Sequence, residues 1–336
     1  MGGGIQAEGV AGDPQHVGSF LTSRTGYRLG LRVLFAYGGL FAAVWMVTLA
    51  LGLGVNQAMW WLGAPPNVRV FLGGTLSRGG MLVAAVWLSA LALRWATGLR
   101  AGEAMFSRRP GWWKDIAFGL LLSTGMMLAI FAVERAAGWL VTGGWALRGQ
   151  PVDAWLRTLW LSLWVNLVAA VGEEAMYRGF LLNGLSRAWG RWIGLFAMAV
   201  LFALPHILVA GAATTYTALF ILLLSLPGLM LGYAYLRTGS LWLPMGIHFA
   251  WNLLQDDLLN LPGGRGGESL FGLLTRQQGP GWIVGTSYGI EVGLAGAVAA
   301  VVAAAGVWIW TARRNKPGWM SGSKPDPHRG TIHRVA

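Results

Sequence analysis

The sequence predicts an all-α polytopic membrane protein, a bundle of about eight transmembrane helices. Hydrophobic residues make up 55% of the 336 residues and charged residues only 11%, a balance that is not expected of a soluble domain. Apolar runs of about 20 residues, the length that crosses a bilayer as a helix, recur from Leu31 onward. Since open sheet edges leave backbone groups unsatisfied in lipid, these runs are expected to be helical.

Hydropathy places the eight spans at about residues 31–53, 80–99, 115–137, 156–185, 192–210, 216–236, 240–259 and 282–311. Residues 1–23 have neither the basic start nor the apolar stretch of a cleavable signal peptide, so we expect a flexible Gly-rich tail. Residues 315–336 are expected to form a second, polar tail. Residues 24–314 then form one transmembrane domain, inserted through its first span.

The net charge of +12 is interpreted as a topology signal. Basic residues lie between apolar spans and lack the interleaved aromatic pattern of RNA-binding surfaces, so no nucleic-acid partner is expected. With both termini in the cytoplasm, most basic clusters fall on the cytoplasmic side, as the positive-inside rule prefers. Exceptions on the other side are Arg69, Arg78, Arg148, Arg265 and Arg276. We expect an integral protein of a bacterial plasma membrane, with membrane lipid as its surroundings.

The eighth span contains four glycines at four-residue spacing, which predicts a smooth ridge on one helix face: Gly281, Gly285, Gly289 and Gly293. Residues 285–289 also match the Gly-x-Ser-x-Gly nucleophile pattern, but that motif requires a strand-to-helix turn and a helix is expected here. Glu291 lies in the same span, and its role stays open between function and a contact with a neighbouring helix.

Polar residues concentrate inside three other spans, where lipid makes them costly unless they line a cavity or pair with each other. The fourth span contains Glu173, Glu174 and Arg178, the fifth contains His206, and the seventh contains His248 and Asn252. Counted from the nearest cytoplasmic Arg with a rise of about 1.5 Å per residue, they lie at similar depths. This shared depth favours one site, although hydrogen bonds that only hold the bundle together are the alternative.

Helical spacing assigns a role to each of these residues. Glu174 and Arg178 are four residues apart, so they share a face and are expected to pair as supporting residues. Glu173 points about 100° away and is available for chemistry. A carboxylate and an imidazole, Glu173 and His206, can activate a water by general-base action. His248 and Asn252, also four apart, can donate hydrogen bonds to a developing oxyanion.

A zinc site is the alternative for the same side chains. Two His and one carboxylate with an open position form a recurrent catalytic zinc site, so Glu173, His206 and His248 can instead hold Zn²⁺. Asn252 is not a usual zinc ligand but has an obvious oxyanion role, which favours the metal-free mechanism. The chain has no Cys, which excludes thiol catalysis and Cys-ligated metal.

These motifs resemble the CPBP family of CAAX proteases and bacteriocin-processing enzymes, also called the Abi family. The family pattern is Glu-Glu-x-x-x-Arg, then Phe-x-x-x-His, then His-x-x-x-Asn. The chain matches all three in order within residues 156–259: Glu173, Glu174 and Arg178, then Phe202 and His206, then His248 and Asn252.

The resemblance implies an eight-helix fold like that of the CAAX prenyl endopeptidase of the endoplasmic reticulum, and an intramembrane endopeptidase activity. It implies that Glu173 and His206 activate water and that His248 and Asn252 form the oxyanion hole, with a membrane-associated or lipidated protein or peptide as substrate. Family members are described both as metalloproteases and as glutamate-type enzymes, so metal dependence stays open. A membrane scaffold or a bacteriocin-immunity protein with the same fold is the alternative function.

Overall fold

In the computed structural model of the protein, the described residues are 24–209, 217–261, 272–286 and 289–312. The two predicted tails lie outside them. The first half of the chain forms helices α1 (Arg24–Trp61), α2 (Pro66–Thr97), α3 (Ala101–Ala104) and α4 (Trp112–Ala136), followed by strand β1 (Leu140–Trp145). Helix α5 (Val152–Glu174) then continues without a break into a π-helical segment (Ala175–Leu182) and helix α6 (Asn183–Trp189).

The second half begins with α7 (Arg191–Val209), α8 (Thr217–Thr238) and α9 (Trp242–Asn252), and α9 also runs into a π-helical segment (Leu253–Leu258). Strand β2 (Leu273–Gln277), the short helix α10 (Gly281–Val284), a 3₁₀ turn (Ile290–Val292) and helix α11 (Leu294–Thr311) complete the described part.

Within the described residues, six helices are long and apolar enough to cross a membrane: Gly26–Trp61, Pro66–Thr97, Trp112–Ala136, Val152–Trp189, Thr217–Thr238 and Leu294–Thr311. The predicted class, a polytopic membrane helix bundle, is confirmed. The count of eight is not reached, because the predicted spans 192–210 and 240–259 correspond to a shorter apolar helix, Arg191–His206, and to the 11-residue α9.

The boundary between the first two spans differs from the prediction. Helices α1 and α2 have 38 and 32 residues and are joined by only four residues. Pro66 and Asn67, expected in a loop, are instead the first residues of α2, since the fixed φ of a proline suits the first helical position. Arg69 and Arg78, also expected in that loop, therefore lie within α2.

The predicted eighth span is wrong in its first half. Gly285 and Gly289 have φ values of +92° and +114°, which no continuous helix contains, and Thr286 and Gly289 form an isolated β-bridge. The glycines therefore allow a tight turn, not a ridge, and the membrane helix α11 begins only at Leu294. The Gly-x-Ser-x-Gly match still lacks its strand, because helix α10 precedes it, and Ser287 lies outside the described residues.

A two-stranded antiparallel sheet is present that the sequence analysis did not predict. Leu140 lies opposite Gln277, and the register shifts after Thr142. The Gln277 amide donates a 2.7 Å hydrogen bond to Glu134, a carboxylate near the end of α4. This hydrogen bond attaches the two-stranded sheet to the helix bundle.

Close packing against α4 fixes the position of α9. A Cβ on Gly119 of α4 would lie 2.7 Å from the Leu243 carbonyl oxygen, and one on Gly246 of α9 would lie 2.6 Å from the Ile116 carbonyl oxygen. Both distances are too short for a methyl group, so glycines at both positions let the two backbones meet. This contact matters because α9 contains His248 and Asn252.

Candidate active site

The predicted site residues surround one cavity of about 640 Å³ inside the bundle. Glu173 reaches it from the end of α5, His206 from α7, and His248 and Asn252 from α9. Three helices that are distant in sequence therefore bring polar side chains to one cavity, as expected from the similar predicted depths of these side chains.

Glu174 is the shared acceptor at the base of the site. Its side chain is 0% exposed, and its Oε1 accepts hydrogen bonds from Arg178 Nη1 at 2.7 Å and from His248 Nδ1 at 2.9 Å. Helical spacing predicted the first contact but not the second, because spacing on one helix carries no information about a side chain 74 residues away. Glu174 thus both neutralises a buried cation and orients an imidazole.

The guanidinium of Arg178 is fully buried and has several partners among the described residues. Besides Glu174, it donates to the Gly228 carbonyl at 3.3 Å, and its Cζ lies 4.5 Å from the ring centre of Phe202. The motif phenylalanine therefore has a structural role: its ring faces the buried cation. Gly228 also packs closely against α7, because a Cβ there would lie 3.1 Å from Ala199 Cα.

Glu173 lies away from this buried network and faces the cavity, as predicted from the angle between adjacent helical residues. Its side chain is 23% exposed, and its Oε2 lies 3.9 Å from His248 Nε2. That distance allows an electrostatic contact but not a hydrogen bond. Because Nδ1 of His248 faces Glu174, the ring directs Nε2 toward Glu173 and the cavity.

His206 takes its orientation from its own helix. Its Nδ1 lies 2.8 Å from the Phe202 carbonyl oxygen, an acceptor, so Nδ1 is the donor and Nε2 is left with a lone pair in the neutral ring. Among the described residues, no hydrogen bond or ion pair joins His206 to Glu173. The imidazole beside Glu173 is that of His248, 3.9 Å from Oε2, and the joint action of Glu173 and His206 on a water stays a prediction.

The three side chains proposed as zinc ligands do not form a coordination set. Within the described part of the chain, no three His, Asp or Glu side chains are grouped closely enough to hold a metal ion. Glu173 and His248 are adjacent, but His206 does not join them in such a group. As placed here, these three residues do not fit a three-ligand metal site.

Helices α5 and α9 both change to π-helical geometry at their motifs. The segment Ala175–Leu182 begins after Glu174 and contains Arg178, and Leu253–Leu258 follows Asn252. In the first segment, the Asn183 amide donates to the Gly179 carbonyl at 2.9 Å and to Tyr235 Oη at 2.6 Å. Such side-chain contacts accompany the altered winding, which is frequent at functional sites.

Several further cavity residues were not predicted from the sequence. Trp251 and Gln255 follow His248 by three and seven residues, so their common helical face was a signal that could have identified them. Tyr177 and Asp256 also line the cavity. Glu291, noted in the sequence without a role, reaches the same cavity from the turn before α11.

Residues 155–254 match a family model described as Type II CAAX prenyl endopeptidase Rce1-like. This segment extends from the first turn of α5 to just beyond Asn252 and contains all three motifs. The resemblance to CAAX proteases is confirmed, and the cavity is built chiefly around the Rce1-like segment. Neither the curated proteins nor the solved structures gave a match.

Proposed function

We propose that this protein is an intramembrane endopeptidase that cleaves a peptide bond of a membrane-associated or lipidated protein or peptide. The observation that supports it best is the convergence of Glu173, His206, His248 and Asn252 on one cavity within an Rce1-like segment. The cavity is large enough for a short stretch of peptide, since small-molecule sites have volumes of about 300–1,000 Å³.

In the proposed reaction, Glu173 takes a proton from a water molecule, and the resulting hydroxide attacks the carbonyl carbon of the substrate. Nε2 of His206 is a second acceptor that orients this water. The Oε2 of Glu173 is buried and has no hydrogen-bond partner among the described residues, so it keeps the capacity to accept a hydrogen bond from this water. The C–N bond then breaks, and the proton held by Glu173 passes to the leaving amine.

The oxyanion formed by this attack requires hydrogen-bond donors. The amide of Asn252 and, when the imidazole carries a proton on both nitrogens, Nε2–H of His248 can supply them, since both residues line the cavity from α9. Glu174 holds the His248 ring in place through Nδ1, so the donor position does not depend on the substrate.

The test compares the membrane peptidomes of cells that produce the wild type or Glu173→Gln at equal levels. We expect peptide termini that occur only with the wild type, because the variant keeps the cavity but loses the general base. Identical peptidomes, together with a cellular phenotype that both proteins rescue, would instead support the alternative function, a membrane scaffold or a bacteriocin-immunity protein.

A further inference from the structure

Glu291 is a carboxylate of the cavity that lies outside the Rce1-like segment. It belongs to the 3₁₀ turn between α10 and α11. Its Oε1 accepts a 2.6 Å hydrogen bond from Trp251 Nε1, and its Oε2 lies 3.4 Å from Gln255 Nε2. Both donors extend from the motif helix α9 and its continuation, so Glu291 is attached to the same element that contains His248 and Asn252.

The backbone around Glu291 is shaped closely to this side chain. A Cβ on Gly289 would collide with the Glu291 carboxylate, and one on Gly296 would lie 2.6 Å from Glu291 Cα. Gly293 packs equally closely against the backbone of Gly285, since a Cβ added to Gly293 would lie 2.5 Å from the Gly285 nitrogen. The turn therefore holds the carboxylate in one position, which recognition of a substrate group requires.

The carboxylate keeps capacity for a further partner. An ionised carboxylate has about four acceptor sites, and Trp251 and Gln255 occupy two of them. The cavity lining contains no Lys or Arg among the described residues, so no side chain of these two types balances the charge of Glu291 from the cavity wall. An ionisable residue at membrane depth is costly, and a cationic group of the occupant would lower that cost.

We propose that Glu291 is a specificity-determining residue that binds a Lys or Arg side chain of the substrate close to the scissile bond. Trp251 and His248 are three residues apart on α9, which places their Cβ atoms about 5–6 Å apart on one face. The subsite next to Trp251 is therefore adjacent to the proposed oxyanion site. This inference rests on the proposed function and defines its substrate class, a peptide with a basic residue near the cleaved bond.

The test uses matched peptides derived from a cleaved sequence, with Lys, norleucine or Glu at each position around the scissile bond. We expect the wild type to prefer Lys over norleucine by on the order of tenfold in kcat/KM at one position, the equivalent of a single favourable charge contact. The Glu peptide should be the poorest at that position. In Glu291→Gln, the Lys-to-norleucine ratio should fall to near one.

Glu134→Gln is the matched control, because Glu134 is a carboxylate that, like Glu291, is bonded to a glutamine amide but lies outside the cavity. It should keep the wild-type ratio. An unchanged ratio in Glu291→Gln, or a wild type that treats all three peptides alike, would overturn the proposal. The wild-type peptide series decides the matter even if Glu291→Gln does not fold.

A binding experiment separates this inference from the proposed function. Affinities of the Lys and norleucine peptides are measured with Glu173→Gln, with and without Glu291→Gln. Tighter binding of the Lys peptide that depends on Glu291 supports the subsite, whether or not any peptide is cleaved. Absence of cleavage would count against the proposed protease activity but not against the subsite. Equal affinities alongside normal wild-type cleavage would leave the protease standing and overturn the subsite.

Discussion

At the scale of single residues, the two adjacent glutamates have different surroundings and therefore different expected roles. Glu174 is fully buried and accepts from both Arg178 and His248, whereas Glu173 is partly exposed to the cavity. One residue of separation along α5 places one carboxylate in a buried network and the other in a space that a water can enter.

Replacement of these glutamates should affect folding and activity in opposite ways. Glu174→Ala leaves a buried guanidinium without its carboxylate, which typically costs about 3–5 kcal/mol, so the yield of folded protein should fall sharply. Glu173→Ala should keep a nearly normal yield and lose activity. Yield after detergent extraction and size-exclusion chromatography measures this difference, and equal losses from both changes would show that the role assignment is wrong.

The catalytic residues should differ in the size of their effects. Glu173→Gln and His206→Ala should each abolish measurable turnover while substrate still binds, because general-base action is lost and the cavity remains. Asn252→Ala should retain some activity, since loss of one oxyanion donor costs roughly 10² to 10³ in kcat. Single-turnover kinetics with a peptide that the wild type cleaves measures the relative activities of these variants. Full activity of Glu173→Gln would contradict the proposed active site.

Metal dependence is tested by elemental analysis of the purified protein beside the same variants. Because Glu173, His206 and His248 do not form a three-ligand set here, we expect no stoichiometric zinc and activity that survives chelation. Stoichiometric zinc in the wild type that disappears in His248→Ala would reverse this expectation and make His248 a ligand.

At the scale of elements, the crossing of α4 and α9 determines whether the oxyanion donors reach the cavity. Gly119 and Gly246 let the two backbones touch, and α9 has only 11 residues before it changes to π-helical geometry. The contact with α4 is the most extensive that α9 makes with another element, so it contributes most to holding His248 and Asn252 in register with Glu173.

Gly246→Ala should therefore destabilise the protein and lower activity together. Its methyl group would overlap the Ile116 carbonyl, and overpacking of this kind typically costs about 1–3 kcal/mol. The control is Gly125→Ala on α4, where an added Cβ meets no neighbouring atom within 4 Å and alanine favours the helix. Thermal unfolding in detergent should show a lower Tm for the first variant only; similar Tm values for both would contradict the packing argument.

At the scale of the whole molecule, the distribution of Lys and Arg predicts both termini in the cytoplasm. Reporters inserted after Arg109, between α3 and α4, and after Arg191, at the start of α7, should report a cytoplasmic location. A reporter at Gly149, in the turn that follows β1, should report the opposite side. A cytoplasmic signal at Gly149 or an external one at Arg109 would refute this topology.

The sequence by itself determined the membrane class, the helical architecture and the residues of the three motifs. These properties depend on composition and on spacing along single helices, and both can be counted in a linear sequence. The pairing of Glu174 with Arg178 is such a local property, since residues four apart on a helix are always neighbours.

Only the tertiary structure decided which residues from different helices meet. The contact of His248 with both glutamates and the position of Glu291 beside Trp251 depend on how α5, α9 and the turn before α11 pack. The glycines of that turn also could not be interpreted from spacing. Four-residue spacing suits a helix ridge, but Gly285 and Gly289 adopt positive φ values in a turn closed by the Thr286–Gly289 bridge, and the spacing of residues does not encode this conformation.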